Sequence, residues 1–186
     1  MGRKFVLALL ACICVTVVSV DAKEKKFKAR DVIKVFKKHK WVNADGKKMK
    51  PGFKNHYILL YYSAKWCPHC RKFTPKLVEF YNANHAVKDF EVFFISGDKT
   101  IEAALAYMKD DKMLWPGLAS LKNIFALQVY GAEQWGGGHI SLGYPTLVVI
   151  DTKNNTCYGS TYFGEKKKMS ADDVLERFKK EIGADK

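Results

Sequence analysis

Residues 57–62, Tyr-Ile-Leu-Leu-Tyr-Tyr, are apolar or aromatic without a polar alternate. A strand with one wet face alternates, so an unbroken run predicts a strand covered on both faces, inside a sheet flanked by helices. The run ends at Ser63-Ala64. Within two residues comes Trp66-Cys67-Pro68-His69-Cys70, followed by Phe73, Leu77, Phe80 and Tyr81 at helical spacing to about residue 86. Both cysteines are therefore expected where a buried strand gives way to a helix N-terminus. Unpaired N–H groups and the helix dipole favour negative charge there and make a thiolate easier to form. Pro68 suits a first turn, and Pro75 inside the helix is expected to kink it.

The remaining pattern predicts the elements that enclose this unit. Residues 31–39 place Val32, Val35, Phe36 and His39 on one helical face, with His39 as a packed or edge histidine. The Asp45-Gly46 turn signal predicts a hairpin between 41–42 and 47–50. Residues 91–96 read as a second buried strand. Residues 100–109 read as a helix capped by Thr100, with Ile101, Ala104, Leu105 and Met108 inward. Met113 to Gly117 reads as an apolar loop and Leu118 to Tyr130 as a further helix. A glycine-rich loop over 131–143, holding Glu133, Trp135 and His139, is expected to be mobile and either borders the site or is a plain insertion. Strands over 144–150 and 156–163 form a second hairpin. A last helix begins at the Ser170 capping box, buries Val174, Leu175, Phe178 and Ile182, and stops at Gly183. The order implies an α/β fold with a central mixed β-sheet flanked by helices and an N-terminal helix/hairpin extension.

Compartment and charge narrow the chemistry. Gly2-Arg3-Lys4, the apolar stretch Phe5 to Val20 and Val20-Asp21-Ala22 read as an export signal removed from residues 1–22, leaving a single domain over 23–186. An N-terminal anchor is the alternative, but about sixteen apolar residues are short for a span. A lipoprotein signal ending at Cys12 ranks behind it, because it would cut the apolar stretch in half. Export means the periplasm in a bacterium, and otherwise the secretory pathway or the extracellular space. Of five cysteines, Cys67, Cys70 and Cys157 survive removal, too few for a disulfide framework. The net charge of +13 is spread along the chain and reads as a solvated surface. No aromatic-basic nucleic-acid motif accompanies it, and no stable membrane insertion is expected after the signal is removed. Cys157 reads as a buried inert thiol or a third redox centre. Asn154-Asn155-Thr156 is formally a glycosylation sequon, relevant only in a eukaryotic secretory cell.

A Cys-x-x-Cys dithiol cycles between thiols and a disulfide because one helical turn holds its sulfurs within bonding reach. Cys67 is the expected nucleophile and Cys70 the resolving thiol. A zinc site would need ligands absent at suitable spacing, so neither a metal nor another cofactor is expected. A purely structural disulfide closing so short a loop would add little stability.

Trp66-Cys67-Pro68-His69-Cys70-Arg71-Lys72-Phe73-Thr74-Pro75, the preceding Tyr-Tyr-Ser-Ala and the later Gly143-Tyr144-Pro145-Thr146 resemble the thioredoxin superfamily, in particular its tryparedoxin and nucleoredoxin branch. The resemblance covers about His56 to Phe163. It implies a thioredoxin fold and a monomeric thiol-disulfide oxidoreductase acting on protein or peptide thiols and disulfides with a further redox partner. It also implies a cis Pro145 facing the cysteines, with Trp66, Tyr144 and Pro145 contacting substrate. Two positions depart from the pattern. Tyr61 stands where thioredoxins carry a buried aspartate that takes the resolving thiol's proton. Pro68-His69 is similar to the pair in periplasmic disulfide oxidases, which implies a more oxidising couple, unless His69 is simply an exposed first-turn residue. A second functional class, a binding or chaperone module with an incidental Cys-x-x-Cys, stays open at this stage.

Overall fold

The computed structural model describes residues 28–121, 143–160 and 169–184. The predicted export signal, the glycine-rich loop with Glu133, Trp135 and His139, the predicted helix beyond residue 121 and the end of the second hairpin lie outside them.

The described chain runs α1 (Ala29–Phe36), β1 (Trp41–Val42), β2 (Lys48–Met49), β3 (Tyr57–Ser63), α2 (Pro68–Asn84), β4 (Phe90–Ser96), α3 (Ile101–Asp110), β5 (Gly117–Leu118), β6 (Thr146–Asp151), β7 (Thr156–Gly159) and α4 (Ala171–Glu181). The strands form one mixed sheet in the order β2-β1-β5-β4-β3-β6-β7. β3, β4 and β5 are parallel, with α2 as the crossover from β3 to β4. β6 lies antiparallel to β3, and β7 to β6.

β3 sits at the centre, and its alternation divides the core. Leu59 and Tyr61 point to the face covered by α2, α3 and α4, where Phe73, Leu77, Tyr107, Val174 and Phe178 pack. Ile58, Leu60 and Tyr62 point to the other face, against α1 and the Trp41 region. That two-sided cover is why the strand carries no polar alternate. At the C-terminus Ser170 and Asp173 form the reciprocal capping box, and Gly183 takes a left-handed φ of +62° just past the helix.

Three expectations need correction. Leu118 is not helical: Gly117 pairs with Phe94 on one side and Val42 on the other, so the apolar segment ends as a short strand joining the 41–49 hairpin to the sheet. α3 is rolled from the expected face, with Ala104, Tyr107 and Met108 buried while Ile101 and Leu105 are only partly covered. The Tyr107 hydroxyl has buried partners, which lets a residue with a polar tip face inward. α1 ends at Phe36, so His39 lies beyond its stripe; partial burial lowers its pKa.

Candidate active site

The sheet register assembles the site. Tyr62 on β3 pairs with Thr146 on β6, so the C-terminal end of β3, which leads to Cys67, lies beside the N-terminal end of β6, which follows Tyr144-Pro145. The Tyr144–Pro145 peptide is cis. The Cys67 thiol donates to the Tyr144 carbonyl at 3.5 Å, so the cysteine and the proline loop meet as expected.

Cys67 is the N-cap of α2. Its sulfur accepts the Cys70 N–H at 3.3 Å, which ties it to an unpaired donor of the helix start. Both cysteines are free thiols. Cys67 is 4% exposed and Cys70 fully buried. Burial pushes the Cys70 thiol up to about 12 and the adjacent Cys67 sulfur adds to this, while bonds to the Ser63 hydroxyl and the Ala64 backbone pull the other way. The inner thiol is thus neutral until something calls on it. Pro68 and His69 are exposed on the first turn.

Buried hydroxyls occupy the space under Cys70. Tyr61, fully buried, shares a 2.7 Å hydrogen bond with Thr74 Oγ1. The Tyr107 hydroxyl meets Thr74 Oγ1 as well, and Ser63 Oγ at 3.1 Å. Thr74 Oγ1 also donates to the Cys70 carbonyl at 2.8 Å. Tyr61, Thr74, Tyr107 and Ser63 therefore form a chain of hydroxyls beneath Cys70, whose Ser63 end opposes the upward push of burial on the Cys70 thiol, and it contains no carboxylate. Of the four, the sequence reading singled out only Tyr61. Ser63 and Thr74 are short polar residues in otherwise apolar patterns, and both fall within the stretch that carries the family resemblance.

Asp98 is a second feature the sequence reading passed over. It lies just past β4, is buried, and accepts the Lys65 N–H at 2.9 and 3.2 Å and the Ser96 hydroxyl at 2.7 Å. It thereby fixes the turn between β3 and Cys67. Trp66 is 61% exposed, yet its Nε1 donates to the Gly97 carbonyl at 3.1 Å and its ring meets Tyr144 edge-on at 5.8 Å. A Cβ on Gly97 would come within 2.4 Å of the Tyr144 Cζ and hydroxyl oxygen, so any side chain there would displace the ring. Cys157 is not brought to the pair. It sits on β7 opposite Ile150, packed against the α1-side cluster, and burial pushes its thiol up to about 11. Among the described residues no group of three or more His, Cys, Asp or Glu is placed to hold a metal ion.

Residues 55–156 match the family described as thioredoxin-like. The chain is similar to tryparedoxin of Trypanosoma brucei brucei, 57% identical over 42 residues that make up 23% of this chain and 29% of that protein. It is similar to nucleoredoxin of Danio rerio, 31% identical over 103 residues, 53% of this chain and 22% of that protein. The match thus spans less than a third of either relative's length. Among solved structures, tryparedoxin II from C. fasciculata superposes with a TM-score of 0.56 at 28% identity, covering 68% of this chain and 83% of that one.

Proposed function

Since the chain belongs to the thioredoxin-like family, and its mixed sheet flanked by helices is the thioredoxin fold, we propose that it is a thiol-disulfide oxidoreductase exchanging disulfides with protein or peptide substrates through Cys67 and Cys70. The observation that carries this reading is the asymmetry of the pair. One sulfur caps the helix beside the cis-proline carbonyl, and the other is sealed beneath it.

In the reducing direction the Cys67 thiolate attacks a substrate disulfide, forming a mixed disulfide and expelling one substrate sulfur. Cys70 then attacks Cys67 Sγ. The Cys67–Cys70 disulfide forms, the second substrate sulfur leaves, and the proton lost by Cys70 is balanced by the one that sulfur takes up. The substrate is reduced by two electrons and the pair oxidised by two, and the opposite direction reverses both steps. Trp66, Tyr144 and Pro145 form the surface on which substrate backbone would lie. Cys67→Ser is expected to abolish turnover of a disulfide-bonded protein, while Cys70→Ala accumulates the mixed disulfide. Full turnover by Cys67→Ser would overturn the assignment.

The N-terminal sequence supports export of a single domain beginning at Lys23. N-terminal sequencing of the protein from its native cell tests this, and an intact Met1 would refute it. His69, exposed on the turn after Cys67, supports a couple more oxidising than thioredoxin. A potential that does not respond to His69→Gly would remove that reading.

A further inference from the structure

Beside Cys67 the surface opens into a recess of about 860 Å³ lined by Lys65, Trp66, Arg71, Asp98, Lys99 and Ala103. Its wall is almost entirely carbon, and the exposed Trp66 is one of the residues that line it. The charges around it are unequally committed. Asp98 is buried, and its carboxylate is used by the Lys65 N–H and the Ser96 hydroxyl. The Lys65 ammonium pairs with Asp110 at 2.8 Å. Asp111, at the end of α3, has one oxygen buried away from solvent, and burial raises its pKa although Arg71 lies near enough to oppose this. Arg71 and Lys99 are exposed; Arg71 lies near enough to Asp110 and Asp111 to pull both carboxyls downward without a salt bridge to either, and Lys99 forms no salt bridge among the described residues. Arg71 is one helical turn from the nucleophile, its N–H bonded to the Cys67 carbonyl at 3.1 Å. Lys99 immediately precedes Thr100, the N-cap of α3, so the positive end of a second helix reinforces it. The recess therefore offers an apolar wall at Trp66, the residue before the reactive cysteine, with two exposed cations that no salt bridge holds.

We propose that this recess receives the polypeptide flanking a substrate's disulfide-bonded cysteine, seating an apolar or aromatic side chain on Trp66 and acidic side chains at Arg71 and Lys99. The substrates singled out are protein disulfides bordered by Asp or Glu. The inference rests on the oxidoreductase reading above. Complementary charge acts chiefly on encounter and on discrimination between partners, and it weakens with salt.

The test offers the Cys70→Ala protein an equimolar mixture of two peptides. Each carries one cysteine as a mixed disulfide with 2-mercaptoethanol and one neighbouring leucine, and they differ only in Glu or Lys beside the cysteine. Mass spectrometry counts the peptides linked to Cys67. The acidic peptide is expected to be trapped roughly tenfold more often at low ionic strength, with the ratio shrinking in high salt. Lys99→Gln should lower the ratio, and Arg71→Glu combined with Lys99→Glu should reverse it. Lys180→Glu, on the exposed side of α4, should leave it in place. Equal trapping of the two peptides would overturn the recess proposal while leaving the oxidoreductase reading intact. So would an equal loss of preference in Lys180→Glu, which would assign it to overall charge, or displacement of the acidic peptide by equimolar glutathione disulfide, which would assign the recess to a small anionic thiol. Trapping of neither peptide would overturn both readings.

Discussion

Ser63→Ala removes the hydroxyl that links the buried chain to the Cys70 sulfur and leaves the rest of the site standing. Ser63 is fully buried on β3, bonded to Tyr107 at 3.1 Å, and its hydrogen bond to Cys70 opposes the upward push of burial on that thiol. A hydrogen bond to a charged group is worth about 1.5–3 kcal/mol, and its loss falls on the state in which Cys70 carries charge. Converted at about 1.4 kcal/mol per decade, that slows Cys70's attack on the mixed disulfide roughly 10- to 150-fold. The hydrogen bonds of the Cys67 sulfur run to the Tyr144 carbonyl and the Cys70 N–H and not to Ser63, so the first attack should keep its rate. A chromophoric aromatic disulfide separates the steps in stopped flow, because one coloured thiolate leaves on attack and a second on resolution. The expected result is an unchanged first phase and a slowed second phase. In the native protein the second phase should climb with pH through the neutral range, since burial pushes the Cys70 thiol up to about 12 and its thiolate is the attacking species. The groups facing that sulfur are Cys67, Ser63, Tyr61 and Tyr107, none of them a carboxylate. Equal slowing of both phases, or a second phase within about twofold of native, would refute the role given to the hydroxyl chain.

Other perturbations test the frame. Gly97→Ala should push the Tyr144 ring off its seat and release Trp66 from its edge contact, so Trp66 fluorescence shifts and KM for a peptide disulfide rises, with a nearly native melting temperature. Phe178→Ala empties a site bounded by Tyr57, Phe80 and Phe90, and should cost about 3–5 kcal/mol in urea unfolding. Asp151 is buried, which pushes its carboxyl up, but bonds from Asn154 and Lys153 and the nearby His56 outweigh burial and hold it below 3.8. A depressed carboxyl stabilises the fold above its unfolded pKa and loses that contribution as pH falls through the folded value. Asp151→Asn should therefore be less stable than the native protein at neutral pH, and the gap should close as pH falls through the depressed pKa of folded Asp151.

Much of this architecture was legible because each element announces itself by one strong local signal. The unalternated run at β3 dictated two-sided cover, Ser170 and Asp173 marked a helix start, and the cysteine motif marked the junction where β3 gives way to α2. What was not legible depends on contacts between elements. Nothing local says that Gly117-Leu118 will bridge β4 to the first hairpin, since a two-residue strand has no period to read. Asp98 looks like a strand exit until its carboxylate is seen to hold the Lys65 N–H. Tyr107 lies outside the expected stripe of α3, and it faces inward because Ser63 and Thr74, distant in sequence, give its hydroxyl partners there.

The tyrosine at position 61 is best understood together with what surrounds it. Its ring lies among Phe73, Phe94 and Trp115, with centroids 5.7, 6.1 and 6.4 Å away. An ionised aspartate in that aromatic setting would need partners to offset its desolvation, and burial would otherwise drive it to the neutral form. Hydroxyls avoid that cost because they stay neutral and can turn. With Cys70 protonated, Thr74 donates to the Cys70 carbonyl, and Ser63 can donate to Tyr107. With Cys70 as a thiolate, each hydroxyl can rotate so that Ser63 donates to the sulfur, Tyr107 to Ser63, Thr74 to Tyr107 and Tyr61 to Thr74. The displaced bond is the one to the Cys70 carbonyl, an oxygen inside α2 with a helical partner of its own. Tyr61→Phe removes only the far end of this chain, so it should slow resolution less than Ser63→Ala does. The reverse order would show that the hydroxyls act as separate packing groups and not as one connected set.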